Sequence, residues 1–290
     1  MKRPPEPEST KPRILVVAGS DSGGGAGIQA DIKTITMLGG FAMTAVTALT
    51  AQNTLGVDEV LEIEPRFVAQ QMKSVLTDIG ADAIKTGMLG SARVVEAVAG
   101  VCESLAFGVP LIVDPVMVAK GGARLLDKGA QDALVLRLLP LASLVTPNVP
   151  EAEVLTGMTI KTARDLERAA DALLALGPSA VLMKGGHLEG DVVVDVLRTA
   201  DGAEHRFEGP RIVSRSTHGT GCTLASAIAA GIAEGLTLEG AVARAREYVV
   251  RAIRLAPGLG KGHGPLEFAH PLLAREASPT APQTPPRALH

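Results

Sequence analysis

Cysteine is scarce: Cys102 and Cys222 are the only two in 290 residues, too few for a secreted disulfide scaffold or a cysteine-rich metal site. Tryptophan is absent and Tyr248 is the sole tyrosine, so intrinsic fluorescence reports ligand binding poorly. No apolar run reaches the roughly 18 residues that a membrane-spanning helix needs before charge or glycine interrupts it. The opening MKRPPEPESTKPR lacks the apolar core of a signal peptide, so a soluble, cytoplasmic protein with no membrane partner is expected. Neither sign of charge dominates. The 28 basic and 31 acidic residues leave a net charge of −3, which gives nucleic acid no broad electrostatic footprint.

What the chain does have is a hydrophobic fraction of 46%, enough for a sizeable core, and 32 glycines and 19 prolines with no collagen-like period. The Pro/Glu/Lys-rich residues 1–12 read as a flexible arm, and the Pro-rich residues 276–290 as a flexible tail. Residues 13–275 between them read as one domain. Short β-rich runs alternate there with longer periodic segments. Strands are expected at Ile14–Ala18, Met43–Leu49, Ala83–Lys85, Leu111–Val113, Leu144–Thr146 and Val181–Met183. Helices are expected over Ala26–Leu38, from Pro65, and over Ala92–Leu105, Ala130–Leu138, Ala163–Ala175, Thr223–Glu234 and Leu238–Ile253. The partly polar runs Asp191–Leu197 and His205–Val213 suit a hairpin or edge pair. This order predicts an α/β fold, a three-layer α/β/α sandwich on a mostly parallel central sheet. Ligands in such sheets sit beyond the carboxyl ends of the strands, which is where the informative motifs fall.

The first motif is Gly19-Ser20-Asp21-Ser22-Gly23-Gly24-Gly25-Ala26-Gly27, after the first strand. Clustered glycines let backbone N–H groups approach an anion or polar ligand. It fits neither a Rossmann fingerprint nor a P-loop, and a plain tight turn is the rival reading. Asp21 could cap the following helix or meet a ligand's ring nitrogen or hydroxyl. The second motif is Ser216-Thr217-His218-Gly219-Thr220-Gly221-Cys222-Thr223, before an Ala-rich helical segment. Free N–H groups at such a helix start suit a phosphoryl group in transit. The same positive end is expected to lower the Cys222 thiol pKa, against a rival reading as a structural cysteine. A His218–Cys222 dyad is the other possibility, but no third orienting residue is evident. Cys102, on an apolar helical face, reads as inert. His187 and His263 lie in glycine-rich loops without zinc-site spacing. Lys184, after the strand Val181–Met183, offers a point charge to nucleotide phosphates, or is a solvated strand-end lysine. Asp114, Asn148 and Glu151 offer oxygens to Mg²⁺, with helix capping the rival for Asn148. Together these features point to ATP-dependent phosphoryl transfer.

The landmarks AGSDSGGGAGIQADIKT, ALTAQNT, IKTGML, DPVMVAKGG, TPNVPEAEVLTG and STHGTGCTLASAIAAG occur in order between Ile14 and Phe268. In these the chain resembles the hydroxymethylpyrimidine/phosphomethylpyrimidine kinases of thiamine biosynthesis, in the ribokinase-like superfamily. The resemblance implies a ribokinase-like core and two successive phosphorylations of a small pyrimidine by ATP and Mg²⁺. It also implies a pyrimidine site at Ala18, Asp21, Gln52 and Met88, with Lys184 near the terminal phosphates. Asp114, Asn148 and Glu151 would support the magnesium, and Thr217, Gly219, Thr220 and Gly221 would line the phosphate path. Cys222, where related sugar kinases carry aspartate, would be the general base. A homodimer is common among such kinases, and the Asp191–Val213 edge is a candidate surface. Gly121-Gly122 departs from the serine-glycine that relatives often have in a neighbouring lid. Pyridoxal or pyridoxine kinase activity is the nearest rival reading, and a catalytically silent ligand-binding module comes from another class.

Overall fold

Four consecutive residues, Ile14 to Val17, are fully buried, as an apolar run covered on both faces must be. They belong to β1 (Arg13–Asp21), the third strand from one edge of a nine-stranded sheet, in a computed structural model that describes residues 11–117 and 128–276. Residues 1–10 of the expected arm, Gly121-Gly122 and residues 277–290 of the expected tail lie outside the described residues. The remaining strands are β2 (Phe41–Gln52), β3 (Val57–Glu62), β4 (Ala83–Thr86), β5 (Leu111–Val113), β6 (Leu144–Val145), β7 (Ala180–Met183), β8 (Val192–Thr199) and β9 (Glu204–Pro210). Their spatial order is β3-β2-β1-β4-β5-β6-β7-β8-β9. Pairing is parallel from β2 through β7 and antiparallel at β2–β3, β7–β8 and β8–β9. The expected mostly parallel sheet and its terminal hairpin are both present.

Alternate side chains send the central strands into two apolar layers. Leu15 and Val17 pack with helices α2 (Pro65–Asp78), α3 (Ala92–Leu105) and α4 (Lys128–Ala133). On the same side, Val181 and Met183 pack with α5 (Val149–Thr156) and α6 (Ala163–Leu174). Ile14, Val16, Ile112 and Leu144 face the other way, onto α1 (Gly27–Met37), α7 (Thr220–Ala233) and α8 (Leu238–Arg254). Each such side chain contributes about 1.5–3 kcal/mol through burial. A short α9 (His270–Glu276) follows. No helix of the described residues is long and apolar enough to cross a membrane.

Several boundaries differ from expectation for local reasons. β2 runs on to Gln52, so Gln52 ends the strand instead of following it. β3 was not expected, because Val-Asp-Glu-Val-Leu-Glu is a mostly exposed edge without apolar alternation. Helix α7 starts at Thr220, three residues before the expected Thr223, which brings Gly221 and Cys222 into its first turn. The helix expected over Ala130–Leu138 leaves α geometry after Ala133 and closes in a π-helical turn over Leu134–Leu138, just before Pro140.

The least expected element of the core is a charge. Lys85 on β4 is fully buried, and its Nζ donates to both carboxylate oxygens of Asp31 on α1, at 2.9 and 3.0 Å. Ser226 Oγ on α7 donates to Asp31 Oδ1 at 2.6 Å. Burial works against the ammonium, but the attraction of Asp31 prevails and holds Lys85 above its ordinary range. Lys85→Ala strands a buried carboxylate and should cost about 3–5 kcal/mol. Urea denaturation followed by far-UV circular dichroism checks this. The double variant Lys85→Met/Asp31→Leu should recover most of the loss.

Candidate active site

The turn after β1 is built around its own aspartate. Asp21 Oδ1 accepts from Gly23 N at 2.8 Å, while Oδ2 accepts from Gly25 N at 3.1 Å and Ala26 N at 2.8 Å. His218 Nε2 lies 2.8 Å from the same Oδ2. Burial raises the Asp21 pKa, but the His218 hydrogen bond and the backbone donors outweigh it and hold the carboxyl below its ordinary range. Asp21, expected at the pyrimidine, lines the cavity but is engaged by the turn and by His218; it accepts from no N–H within α1, so it does not cap that helix.

The second glycine motif is pressed against this turn. Gly219 has φ +81°, and a Cβ on it would lie 1.9 Å from the Gly25 carbonyl oxygen, so only glycine fits. From there α7 begins, and no side chain of the described residues caps it. Its first N–H groups have no partner within the helix. The Thr220 hydroxyl donates to the Thr217 carbonyl at 3.1 Å and ties down the approach. Cys222 is half-buried in this first turn, and the nearby Gly27 backbone N–H favours its thiolate. Burial pushes its thiol up to about 11 despite the opposing Lys85 ammonium. The expected lowering is overturned, because desolvation outweighs the helix start. Burial also pushes Cys102 up to about 12, in keeping with an inert thiol.

Charged groups gather opposite the helix start. Lys184, following β7, donates from Nζ to Asp114 Oδ1 at 2.9 Å, and the Thr146 hydroxyl donates to the same oxygen at 3.1 Å. It is paired and not a solvated strand-end lysine. A Cβ added at Gly221 would sit 3.3 Å from Lys184 Nζ and 3.5 Å from Asp114 Oδ2, so this pair abuts α7 directly. Asn148 and Glu151 form a reciprocal cap on α5: Asn148 Oδ1 accepts from Glu151 N at 3.0 Å, and Glu151 Oε2 accepts from Asn148 N at 2.8 Å. The capping reading of Asn148 is the one its contacts carry. Burial pushes the Glu151 carboxyl up to about 7, with Asp114 adding to the rise and Lys184 opposing it.

One cavity of about 1030 Å³ collects all of these groups. It is lined by Ala18, Asp21, Gln52 and Met88, by Asp114, Asn148, Glu151 and Lys184, and by Thr217, Gly219, Thr220, Gly221 and Cys222. A smaller depression of about 400 Å³, between residues 212–216 and 253–264, contains none of them. His187 lines the large cavity; His263 does not. Among the described residues no three His, Cys, Asp or Glu side chains gather into a metal cage. His218 pairs with Asp21 and Gln52, which removes the basis for a dyad with Cys222. The motif alone offers His218 only as a dyad partner of Cys222 and assigns it no place in the site, yet it lines the cavity. Asp195 and Arg246 were missed altogether. Asp195 accepts from Gly185 N and from Arg246 Nε, each at 2.8 Å, and Arg246 lies over the Phe207 ring at 5.6 Å. All three line the cavity, and they come from β8, α8 and β9, so no single local motif announces the group.

The comparisons with known proteins agree with this geometry. A family model described as phosphomethylpyrimidine kinase matches residues 21–267. The chain is 53% identical over 266 residues to the thiamine biosynthesis bifunctional protein ThiED of Geobacter sulfurreducens, covering 91% of this chain but only 53% of that protein. It is 50% identical to the hydroxymethylpyrimidine/phosphomethylpyrimidine kinase of Streptomyces coelicolor, covering 91% of this chain and 96% of that one. Among solved structures, an ADP complex of Bacillus subtilis pyridoxal kinase superposes with a TM-score of 0.83 at 34% identity, covering 91% of this chain and 99% of that one.

Glu151 supplies a test of the charge arrangement. Its folded pKa of about 7 exceeds the ordinary 4.5, so the folded state binds the proton more tightly than the unfolded chain does. Its contribution to stability is therefore largest below pH 4.5 and is lost as the pH rises to about 7. Glu151→Gln should raise the melting temperature at pH 8 relative to the parent and leave it unchanged at pH 4.5. Lys184→Met should move the Glu151 carboxyl titration, followed by carbon-13 NMR, to still higher pH.

Proposed function

Because this chain belongs to the phosphomethylpyrimidine kinase family and has its ribokinase-like fold, we propose that it phosphorylates 4-amino-5-hydroxymethyl-2-methylpyrimidine with ATP. A second transfer to the monophosphate then gives the pyrophosphate. The observation that carries this reading is the Lys184–Asp114 pair set against Gly221 at the uncapped start of α7, in the cavity that Gln52 and Met88 also line. An anionic phosphoryl group and a small ring thus have complementary walls in one place.

Each residue has a physical task in this reading. The Gln52 amide pairs with the ring edge, Met88 packs a polarisable thioether against the ring face, and Ala18 leaves room beside them. Asp21 holds the first glycine turn in shape. Lys184 meets the terminal phosphates as a point charge, and the N–H groups of Gly219 and Gly221, with Thr217 and Thr220, line the path of the transferred group. Asp114 and Glu151 fit a magnesium ion. Asp114 keeps Oδ2 toward the helix start, and Glu151 is a buried carboxylate that burial holds above its ordinary pKa, so a cation beside it would favour its ionised form. Two carboxylates without a full protein cage suit an ion that keeps water and phosphate ligands. When bound, it supplies neutralising charge at the phosphates. Asn148 holds Glu151 in place through the shared cap.

In the first transfer the hydroxymethyl oxygen bonds to the γ-phosphorus as the bond to the bridging β–γ oxygen breaks. The hydroxymethyl proton passes to the Cys222 sulfur. The resting thiol is protonated, so the thiolate form needed for this is scarce at neutral pH and grows as the pH rises toward about 11. In the second transfer the acceptor is a phosphate oxygen that is already ionised, and little base is needed.

Product-resolved phosphorus NMR with ATP, Mg²⁺ and equal hydroxymethylpyrimidine and pyridoxal should give successive pyrimidine monophosphate and pyrophosphate signals. Pyridoxal phosphate alone would favour the second reading, a pyridoxal kinase, for which the superposition on the Bacillus enzyme argues. Transfer to neither ring would favour a silent binding module. Cys222→Ala should slow the first step by about 10² or more and the second by less than about 10-fold. The parent's first-step rate should climb with pH from 7 to 9 while the second stays flat. Equal losses in both steps would remove Cys222 from the role of base.

A further inference from the structure

The hydrogen bonds around Gln52 contain two conflicts with one solution. At one end of its amide, Gln52 Nε2 lies 3.3 Å from His218 Nε2, which is itself 2.8 Å from Asp21 Oδ2. Asp21 already accepts three backbone N–H groups through its two oxygens. That environment keeps it ionised, so the proton between them belongs to His218 Nε2. A protonated Nε2 has no lone pair left for the amide, and two N–H donors would face each other. At the other end, the single Thr50 hydroxyl proton is asked to serve both the Ser20 carbonyl at 2.9 Å and Gln52 Oε1 at 3.1 Å.

A half turn of the amide removes both conflicts. Oxygen and nitrogen exchange places at no cost in packing. Oε1 then accepts from His218 Nε2–H, shared with Asp21, while the amide N–H donates to Thr50 Oγ1, whose own proton goes to Ser20. We propose that His218 is a specificity-determining positioning residue, fixing the direction in which Gln52 presents its acceptor and donor to the cavity. The proposal rests on the kinase reading for the identity of the ring. With Oε1 fixed on the His218 side and N–H on the Thr50 side, the amide's unused acceptor and donor sites form one ordered pair. That pair matches a ring edge on which an exocyclic amino group adjoins a ring nitrogen: the amino group donates to Oε1 and the ring nitrogen accepts from the amide. A freely turning amide would serve the reverse pattern equally well. A pyridine ring without the amino group leaves Oε1 unserved.

Two measurements on the full chain decide this. Nitrogen-15 NMR of histidine-labelled protein at pH 8, with the His218 signals assigned by their loss in His218→Gln, should show the proton on Nε2 and none on Nδ1. The opposite tautomer would overturn the proposal. Calorimetry should then show hydroxymethylpyrimidine binding at least tenfold more weakly to His218→Phe than to the parent, with MgATP affinity within twofold. His218→Gln, whose amide N–H reaches the same point, should bind within threefold of the parent. Unchanged pyrimidine affinity in His218→Phe, or no rescue by His218→Gln, would overturn the proposal. Thr50→Val, which removes the amide's other anchor, gives the same affinity test if His218→Phe does not fold. A parent protein that binds pyridoxal and no pyrimidine would defeat the pyrimidine-kinase reading instead, and the tautomer would still decide the direction of Gln52.

Discussion

The geometry of the site depends on the buried contact among Lys85, Asp31 and Ser226. One ammonium on β4, one carboxylate on α1 and one hydroxyl on α7 meet in the core, and each comes from a different element. Apolar side chains of the same volume would hold the layers together with less desolvation. They would not fix the rotation of α1 and α7 about their own axes. That rotation matters because both helices start at the cavity: Gly27 opens α1 and lines the cavity beside Cys222, and Gly219 precedes α7 with its Cα against the Gly25 carbonyl. A small change in either helix would part the two glycine turns.

Around the expected phosphate path, the charges constrain one another. Lys184 is held by Asp114, Asp114 by Thr146, and Glu151 by the cap it shares with Asn148. None of these side chains must be ordered when a ligand arrives, which lowers the entropic cost of binding. Burial also leaves Cys222 neutral at rest, so in the proposed reaction the helix start would meet the phosphoryl group without a thiolate beside it to repel it.

Much of this was legible in the sequence, because the motifs lie where the chain leaves β1, β5, β6 and β7. Short apolar runs mark those strands, and glycine, lysine and acidic residues follow them at once. The same reading failed where the deciding physics is not local. The Cys222 pKa was misjudged because a helix start is visible in sequence and the desolvation of a half-buried sulfur is not. Strand β3 escaped because an exposed edge strand needs no apolar face. Asp195 and Arg246 pair across 51 residues with no motif to announce them. His218 was seen within its motif, but its partner Asp21 is 197 residues away. The alternation of roles at Asn148, cap against metal oxygen, was posed by the sequence and needed the actual contacts with Glu151.

The helices that complete the second apolar layer, α7 and α8, come after all nine strands in the chain. Until they are synthesised, α1 stands only over the β1 and β2 part of that side of the sheet, and Ile112 and Leu144 lack the helices that pack with them. Contacts of such long sequence separation form late and slowly, and an incompletely covered sheet is prone to associate with other chains. The cavity is thus completed only after α7 and α8 have been synthesised. A nascent chain stalled before Thr220 would be betrayed to chaperones by its greasy, half-covered sheet, well before any catalytic failure could be noticed.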